Sequence, residues 1–494
     1  MLRGLIFVAF LLPLHGISAM SDSLQLADAL QSNMVIQQNK PFKVWGTAAP
    51  GQQVTIHADW MASPIAVGAD EHGDFMGIIP VPKAEKGAFD AHGLRVVAGG
   101  QHVELHNLLI GDVWICSGQS NMQFSVKEMK GSEEVLSTAD QPQIRLLNVG
   151  LNFSETPLEN FHGNWQVCTP ETAKDFSAVG YSFGKKLSDS LGIPIGLVFT
   201  GIGASSVQAY IPKADLSNDT MLNRVYLQPY LDDPKSKEPV DGGFSFEKVM
   251  RPYLLYNAII HPLVNLSVKG FIWYQGEANH FEREPYVRAT QTMINSWRRA
   301  FSQGQLPFYY VQIAPYFHDK EDPALAFDAY FREAQEKIAA LNNTYMVSTI
   351  DVGDAKDLHP KDKKPVGERL AAVALNRAYH QLDVVYQGPV MDEVRMDGNK
   401  AFVYFEQETL GGGLQTNDGL PPRFFYVAGD DRVFHPADAR IEGDRIVVES
   451  GKVSDIVSLR YAFFNYPVTN LENKEGFPAI PFRTDTWEEE QGGQ

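Results

Sequence analysis

The chain has 494 residues, 44% of them hydrophobic, and 42 Lys and Arg against 60 Asp and Glu leave a formal net charge of −18. At roughly 150 residues per domain that length implies two to four domains. The acidic balance argues against general affinity for phosphate backbones or anionic membranes, so nucleic acid is not an expected partner.

The chain opens Met1-Leu2-Arg3 with one positive charge, then an apolar run from Leu5 to Leu14 and the small residues Gly16, Ser18 and Ala19. This pattern reads as a signal peptide over 1–19, cleaved near Ala19, and so as export to the periplasm or the exterior. A retained anchor is the competing reading, but the run falls short of the roughly 18 apolar residues expected of a spanning helix. No membrane association is expected after cleavage. Only Cys116 and Cys168 are present. They exclude a disulfide framework and a Cys-x-x-Cys zinc or redox motif, and they leave either two buried thiols or one bridge.

Over 20–108 short apolar alternations are broken by turn residues such as Pro50-Gly51 and Gly99-Gly100. Segments 42–45 and 54–57 read as strands, which makes this an all-β domain with nothing catalytic in it. Over 109–384 the texture changes. Apolar strands at 112–116, 144–149, 195–199, 270–274, 308–313 and 345–350 alternate with amphipathic helices at 179–191, 285–301 and 324–341. That alternation predicts an α/β unit, a parallel sheet with helices on both faces and its sites at the carboxyl ends of the strands. The polar interval at about 213–246 is expected as an insertion over the sheet. Over 385–494 strand-like segments return at 400–405, 424–427 and 445–448, a second β region that the N-terminal domain could complete.

The strongest local signal is Gly111-Asp-Val-Trp-Ile-Cys-Ser-Gly118-Gln119-Ser120-Asn121-Met122. A buried strand, two turn-permitting residues and a helix-like start would present the Ser120 hydroxyl at the sheet edge, beside amides aimed where an oxyanion forms. The alternative is a helix N-cap; the G-x-S-x-G elbow is absent, because Met122 stands where its second Gly would be. A serine hydroxyl needs a base. Of the 13 histidines, His359 is the best placed, in the loop Asp351-Val-Gly-Asp354-Ala-Lys-Asp357-Leu-His359-Pro360 between the last strand and a helix from about Asp362. There Asp357 can fix its tautomer. The alternatives are a solvated loop histidine and a metal site built on the three acids, for which no second ligand cluster has the right spacing.

A third block, Gly270-Phe-Ile-Trp273-Tyr274-Gln275-Gly276-Glu277-Ala278-Asn279, ends a strand with amides just beyond it. Gln275 or Asn279 either donates to an oxyanion or bonds the backbone of an ordinary turn. Thr200-Gly201-Ile202-Gly203-Ala204-Ser205 follows another strand, and Gly203 there either lends an N–H or serves as a turn residue. Trp273, Tyr274 and Tyr210 form either a stacking wall for a sugar or part of the core. Four such blocks at strand ends fit one site better than coincidence.

Together Gly118-Gln119-Ser120-Asn121-Met122, Trp273-Tyr274-Gln275-Gly276-Glu277-Ala278-Asn279 and Asp357-Leu358-His359-Pro360 resemble the sialate O-acetylesterase family of the SGNH hydrolases. So do Met34-Val35-Ile36-Gln37-Gln38, Phe176-Ser177-Ala178-Val179-Gly180-Tyr181 and Pro478-Ala479-Ile480-Pro481-Phe482-Arg483. The resemblance implies an α/β fold with a flavodoxin-like SGNH-hydrolase parallel sheet, helices on both faces, and accessory β-sandwich-like regions at both ends. It implies Ser120 as nucleophile, His359 as base and Asp357 as its partner. The implied oxyanion donors are the Ser120 amide, the block around Gly203, and Gln275 and Asn279. It implies an O-acetylated sialic acid or sialoglycan as substrate, with no metal and no organic cofactor. The family's second block is closer to Trp-Gly-Gly-Thr; here Ile202-Gly203-Ala204-Ser205 replaces it, so whether Gly203 or a neighbour donates stays open. Rival readings are an acetyl esterase for xylan or another plant glycan, which shares the same parts, and a non-catalytic carbohydrate-binding protein, which would have lost Ser120, Asp357 or His359. Oligomeric state is not legible.

Overall fold

The computed structural model describes residues 23–317 and 326–487, and the expected signal peptide lies outside them. Its organising strand is β1 (Gln101–Gly118), 18 residues long. The first half of β1 is largely exposed or half-buried, and the run from Leu108 to Gly118 is buried throughout. The first half pairs antiparallel with His92–Ala98 in the N-terminal β region, and the second half becomes the middle of a parallel sheet. A strand covered on both faces must be apolar along its whole length, which is why Val113-Trp114-Ile115-Cys116 does not alternate.

The strands that flank it in the main run of that sheet are β2 (Gln141–Asn148), β3 (Trp165–Cys168), β4 (Ile195–Phe199), β5 (Gly270–Tyr274), β6 (Phe308–Val311) and β7 (Thr344–Val347). They lie in the order β3-β2-β4-β1-β5-β6-β7. Every neighbouring pair is parallel except β3 on β2, so the sheet is mixed rather than purely parallel. No helix lies between Asn148 and Trp165 to carry the chain back across the sheet, so the chain returns antiparallel. The other strands match the expected positions to within a few residues, apart from the earlier start of β1.

The long helices are α1 (Ala178–Leu191), α2 (Glu284–Phe301), α3 (Phe327–Glu336) and α4 (Lys364–Arg377). Trp114, Cys116, Ile272 and Tyr274 share one core with Val179, Phe183 and Leu187 of α1 and Val366 and Leu370 of α4. Their neighbours Val113, Ile115, Phe271 and Trp273 share the other with Met293, Ile294 and Trp297 of α2. Helices therefore cover both faces. The N-terminal strands feed this second core through Val44, Val54, Ile56 and Val96. The interval at 213–246 is less polar in effect than in composition: its short helical turns bury Leu216, Leu222, Tyr226, Leu227 and Tyr230 in the same core.

The C-terminal strands form sheets of their own rather than being completed by the N-terminal region. Two four-stranded sheets share a core of Val403, Ile446, Val448, Val427 and Leu459. This region docks on α3, where the fully buried Arg332 guanidinium donates to the carbonyls of Phe464 and Asn465 and Arg483 pairs with Glu333 at 2.7 Å. No helix among the described residues is long and apolar enough to cross a membrane.

Cys116 and Cys168 are both free and buried, which decides between the two thiols and the bridge. Burial drives the Cys116 thiol far up, and it pushes Cys168 up to about 12. Two equivalents of thiol should therefore react with Ellman's reagent in denaturant and essentially none in the native protein; a native disulfide would give none in either.

Candidate active site

Ser120 is placed by the end of β1. Gly118 has φ +140, and a Cβ there would lie 2.1 Å from the Tyr274 carbonyl oxygen, so only glycine lets the chain turn this close to β5. The Gln119 N–H then donates to that carbonyl at 2.9 Å, and the Gln119 side-chain oxygen accepts the Gly276 and Ala278 amides at 3.3 and 3.2 Å. Ser120 begins the single helical turn Ser120–Gln123. Being first in that turn, its N–H has no acceptor within the helix and stays available to an anion. The turn is pinned from the other side by Ser177, at the start of α1, whose hydroxyl donates to the Met122 carbonyl at 2.6 Å.

The Ser120 hydroxyl does not cap a helix. It meets His359, with Oγ 2.8 Å from Nε2, although 239 positions separate them in the chain. His359 is about half buried, in the loop between β7 and α4. Burial and the nearby Lys363 ammonium hold its imidazole below the ordinary value of 6.5, against the opposing pull of Asp357 and Glu128. A neutral imidazole whose Nε2 faces a serine hydroxyl can accept its proton. Asp357 Oδ1 accepts the His359 backbone N–H at 2.8 Å and stands 3.7 Å from Nδ1. It therefore shapes the loop and places negative charge by the ring without a hydrogen bond to it.

The expected oxyanion donors divide. Gly203 lies against Ser120, since a Cβ on it would fall 3.7 Å from Ser120 Cβ. Its N–H donates to the side-chain oxygen of Gln123 at 2.8 Å, so that N–H is already engaged by an exposed glutamine. Gln275 and Asn279 are buried, and their amide hydrogens are committed elsewhere. Gln275 donates to the Ser205 carbonyl at 3.2 Å and to Asn279 Oδ1 at 2.7 Å, and Asn279 donates to Gln208 and Glu282 at 3.2 and 3.1 Å. Those bonds brace the loops of Gly203 and Gly276 against each other, which is the turn-bracing alternative. Trp273, Tyr274 and Tyr210 are core rather than a stacking wall: all three are at most 1% exposed, and Trp273 and Tyr210 pack edge-on at 5.1 Å. The acids before His359 are also dispersed, because Asp351 takes a two-point bond from Arg369 at 2.7 and 2.6 Å. Among the described residues no group of three or more His, Cys, Asp or Glu could hold a metal ion.

Sequence reasoning passed over Gln119 and Gln123. Their roles depend on which backbone amides lie across the sheet edge, and only their place beside Ser120 signalled them.

Residues 110–229 and 240–376 match the family described as carbohydrate esterase, sialic acid-specific acetylesterase. The sialate O-acetylesterase of Homo sapiens is 27% identical over 419 residues, covering 78% of this chain and 77% of that protein. That of Mus musculus is 28% identical over 422 residues, covering 75% and 76%. The crystal structure of a carbohydrate acetylesterase from Xanthomonas citri superposes with a TM-score of 0.82 at 34% identity, covering 94% of this chain and 100% of that one.

The depressed basicity of His359 has a direct consequence. Its active form is neutral, so the acid limb of kcat/KM should fall below pH 6.5, the ordinary imidazole value. A pH–rate profile with a limb at or above that value would contradict the geometry. Because Asp357 does not hydrogen-bond the ring, Asp357→Ala should cost well under the roughly 10⁴-fold seen when a bonded triad aspartate is altered, as steady-state kinetics can measure.

Proposed function

The chain belongs to the carbohydrate esterase family of sialic acid-specific acetylesterases, and from that premise we propose that it removes O-acetyl groups from sialic acids through an acetyl-serine intermediate. The observation that carries the assignment of residues is the 2.8 Å contact between Ser120 Oγ and His359 Nε2. In the first half-reaction Ser120 Oγ attacks the acetyl carbonyl carbon while its proton passes to Nε2. The bond from that carbon to the sugar oxygen then breaks, and the sugar oxygen takes the proton from Nε2. In the second half water attacks the acetyl carbon and gives one proton to the same nitrogen; the bond from that carbon to Ser120 Oγ breaks, Oγ takes the proton back from Nε2, and acetate leaves with its remaining proton lost to solvent. Asp357 favours the imidazolium that forms in each half. The Ser120 N–H is the ready oxyanion donor, and the Gly203 N–H becomes one when Gln123 yields it.

The same proposal extends to architecture and location. Set aside the β2–β3 hairpin at the edge and the five remaining strands run, numbered along the chain, 2-1-3-4-5, which supports the flavodoxin-like SGNH-hydrolase type. The organisation taken with it is an N-terminal all-β domain over 20–108, a catalytic unit over 109–384 and a C-terminal β region over 385–494. The leader at 1–19 supports export to the periplasm or the exterior.

Purified protein should release acetate from a generic aryl acetate and from O-acetylated sialic acid, with O-acetylated xylan a poor substrate, and Ser120→Ala should abolish release from all of them. Activity surviving in Ser120→Ala removes the nucleophile; a preference for acetylated xylan replaces the substrate.

A further inference from the structure

Lys363, at the start of α4, is 1% exposed, and among the described residues no carboxylate lies within ion-pair reach of its ammonium. It donates to the side-chain oxygen of Asn121, the residue next to the nucleophile, and stands over the rings of Phe124 and Tyr274 at 4.9 and 5.6 Å. The Asn121 side-chain nitrogen donates in turn to the Glu277 carboxylate and, at 3.1 Å, to the carbonyl of Leu358, the residue next to the base. Asn121 is fully buried, and the second carboxylate oxygen of Glu277 is buried without a hydrogen-bond partner. One amide thus bonds three segments, those that follow β5 and β7 and the start of α4, while sitting on the turn that follows β1. Burying an ammonium and a carboxylate without direct pairing is unfavourable for both. Scaffold strength alone does not account for such an arrangement beneath a reacting pair.

We propose that Lys363 is a positioning residue of the acyl transfer: through Asn121 it clamps the turn of Ser120 to the loop of His359, and it sets a buried positive charge beside that pair. This rests on the Ser120–His359 reading above. The charged groups that bear on His359 are Lys363, Asp357 and Glu128, and those that bear on Lys363 are Glu277 and Asp357. Only Lys363 acts to keep the imidazole neutral by charge. Its own basicity falls to about 7 through burial, with Glu277 opposing, while burial raises Glu277. The clamp and the charge are separable, since an amide at position 363 can still donate to Asn121 but carries no charge.

The test is the pH profile of aryl acetate hydrolysis by Lys363→Gln, Lys363→Met and Asn121→Ser, with Ser120→Ala as the control for the underlying reading. Both Lys363 variants should move the acid limb of kcat/KM upward by about one pH unit. Lys363→Met should in addition lower kcat by roughly 10- to 100-fold with KM little changed, a larger loss than in Lys363→Gln. Asn121→Ser, which cuts the clamp but keeps the ammonium, should lower kcat without moving the limb. Folded Lys363 variants whose limb stays at the wild-type pH overturn the charge role, and a wild-type kcat in Asn121→Ser overturns the clamp even where the Lys363 variants do not fold. An active Ser120→Ala would instead overturn the reading beneath both.

Discussion

The hydrogen bond between Ser120 Oγ and His359 Nε2 joins two loops that the chain alone would hold far apart. Closing 239 residues into one contact costs entropy that a single hydrogen bond of about 1 kcal/mol does not offset. The contact therefore exists because both loops are fixed independently, one leaving β1 and the other leading into α4. A parallel sheet supplies that condition. The strands β2, β4, β1, β5, β6 and β7 run parallel and end at one edge, so the loop after each of them reaches that edge whatever its place in the sequence.

The fixing is done at close range by backbone. Gly118 allows β1 to turn against Tyr274 of β5, Gln119 then spans to Gly276 and Ala278, and Ser177 holds the far end of the turn from α1. Gln275 donates to the Ser205 carbonyl and the Val207 N–H donates to Asn279 Oδ1, which ties the segment after β4 to the segment after β5. The side-chain amides of Gln275 and Asn279 are thus spent within the protein, and the exposed Gln123 oxygen holds the Gly203 N–H.

Electrostatics at the site follow from depth. His359 is half buried with one buried cation and two acids acting on it, so its basicity is lowered but not extinguished. Beneath it Lys363, Asn121 and Glu277 are nearly out of water, where an ammonium and a carboxylate both drift toward neutrality.

The sequence by itself determined the α/β alternation, the apolar strands at 195–199 and 270–274, and the choice of Ser120, His359 and Asp357 as residues that would meet at one sheet edge, where the structure brings them together. These are legible because strand burial and strand-end loops leave periodic and local marks. Tertiary structure alone decided that Trp165–Cys168 runs antiparallel, that the interval at 213–246 buries part of the core, that Trp273, Tyr274 and Tyr210 are core, and that Gln275 and Asn279 brace loops. It alone showed Lys363 beneath Asn121. A hydrogen-bond partner or a burial depth belongs to a pair of segments, and neither segment carries the mark of the other until the sheet brings their ends together.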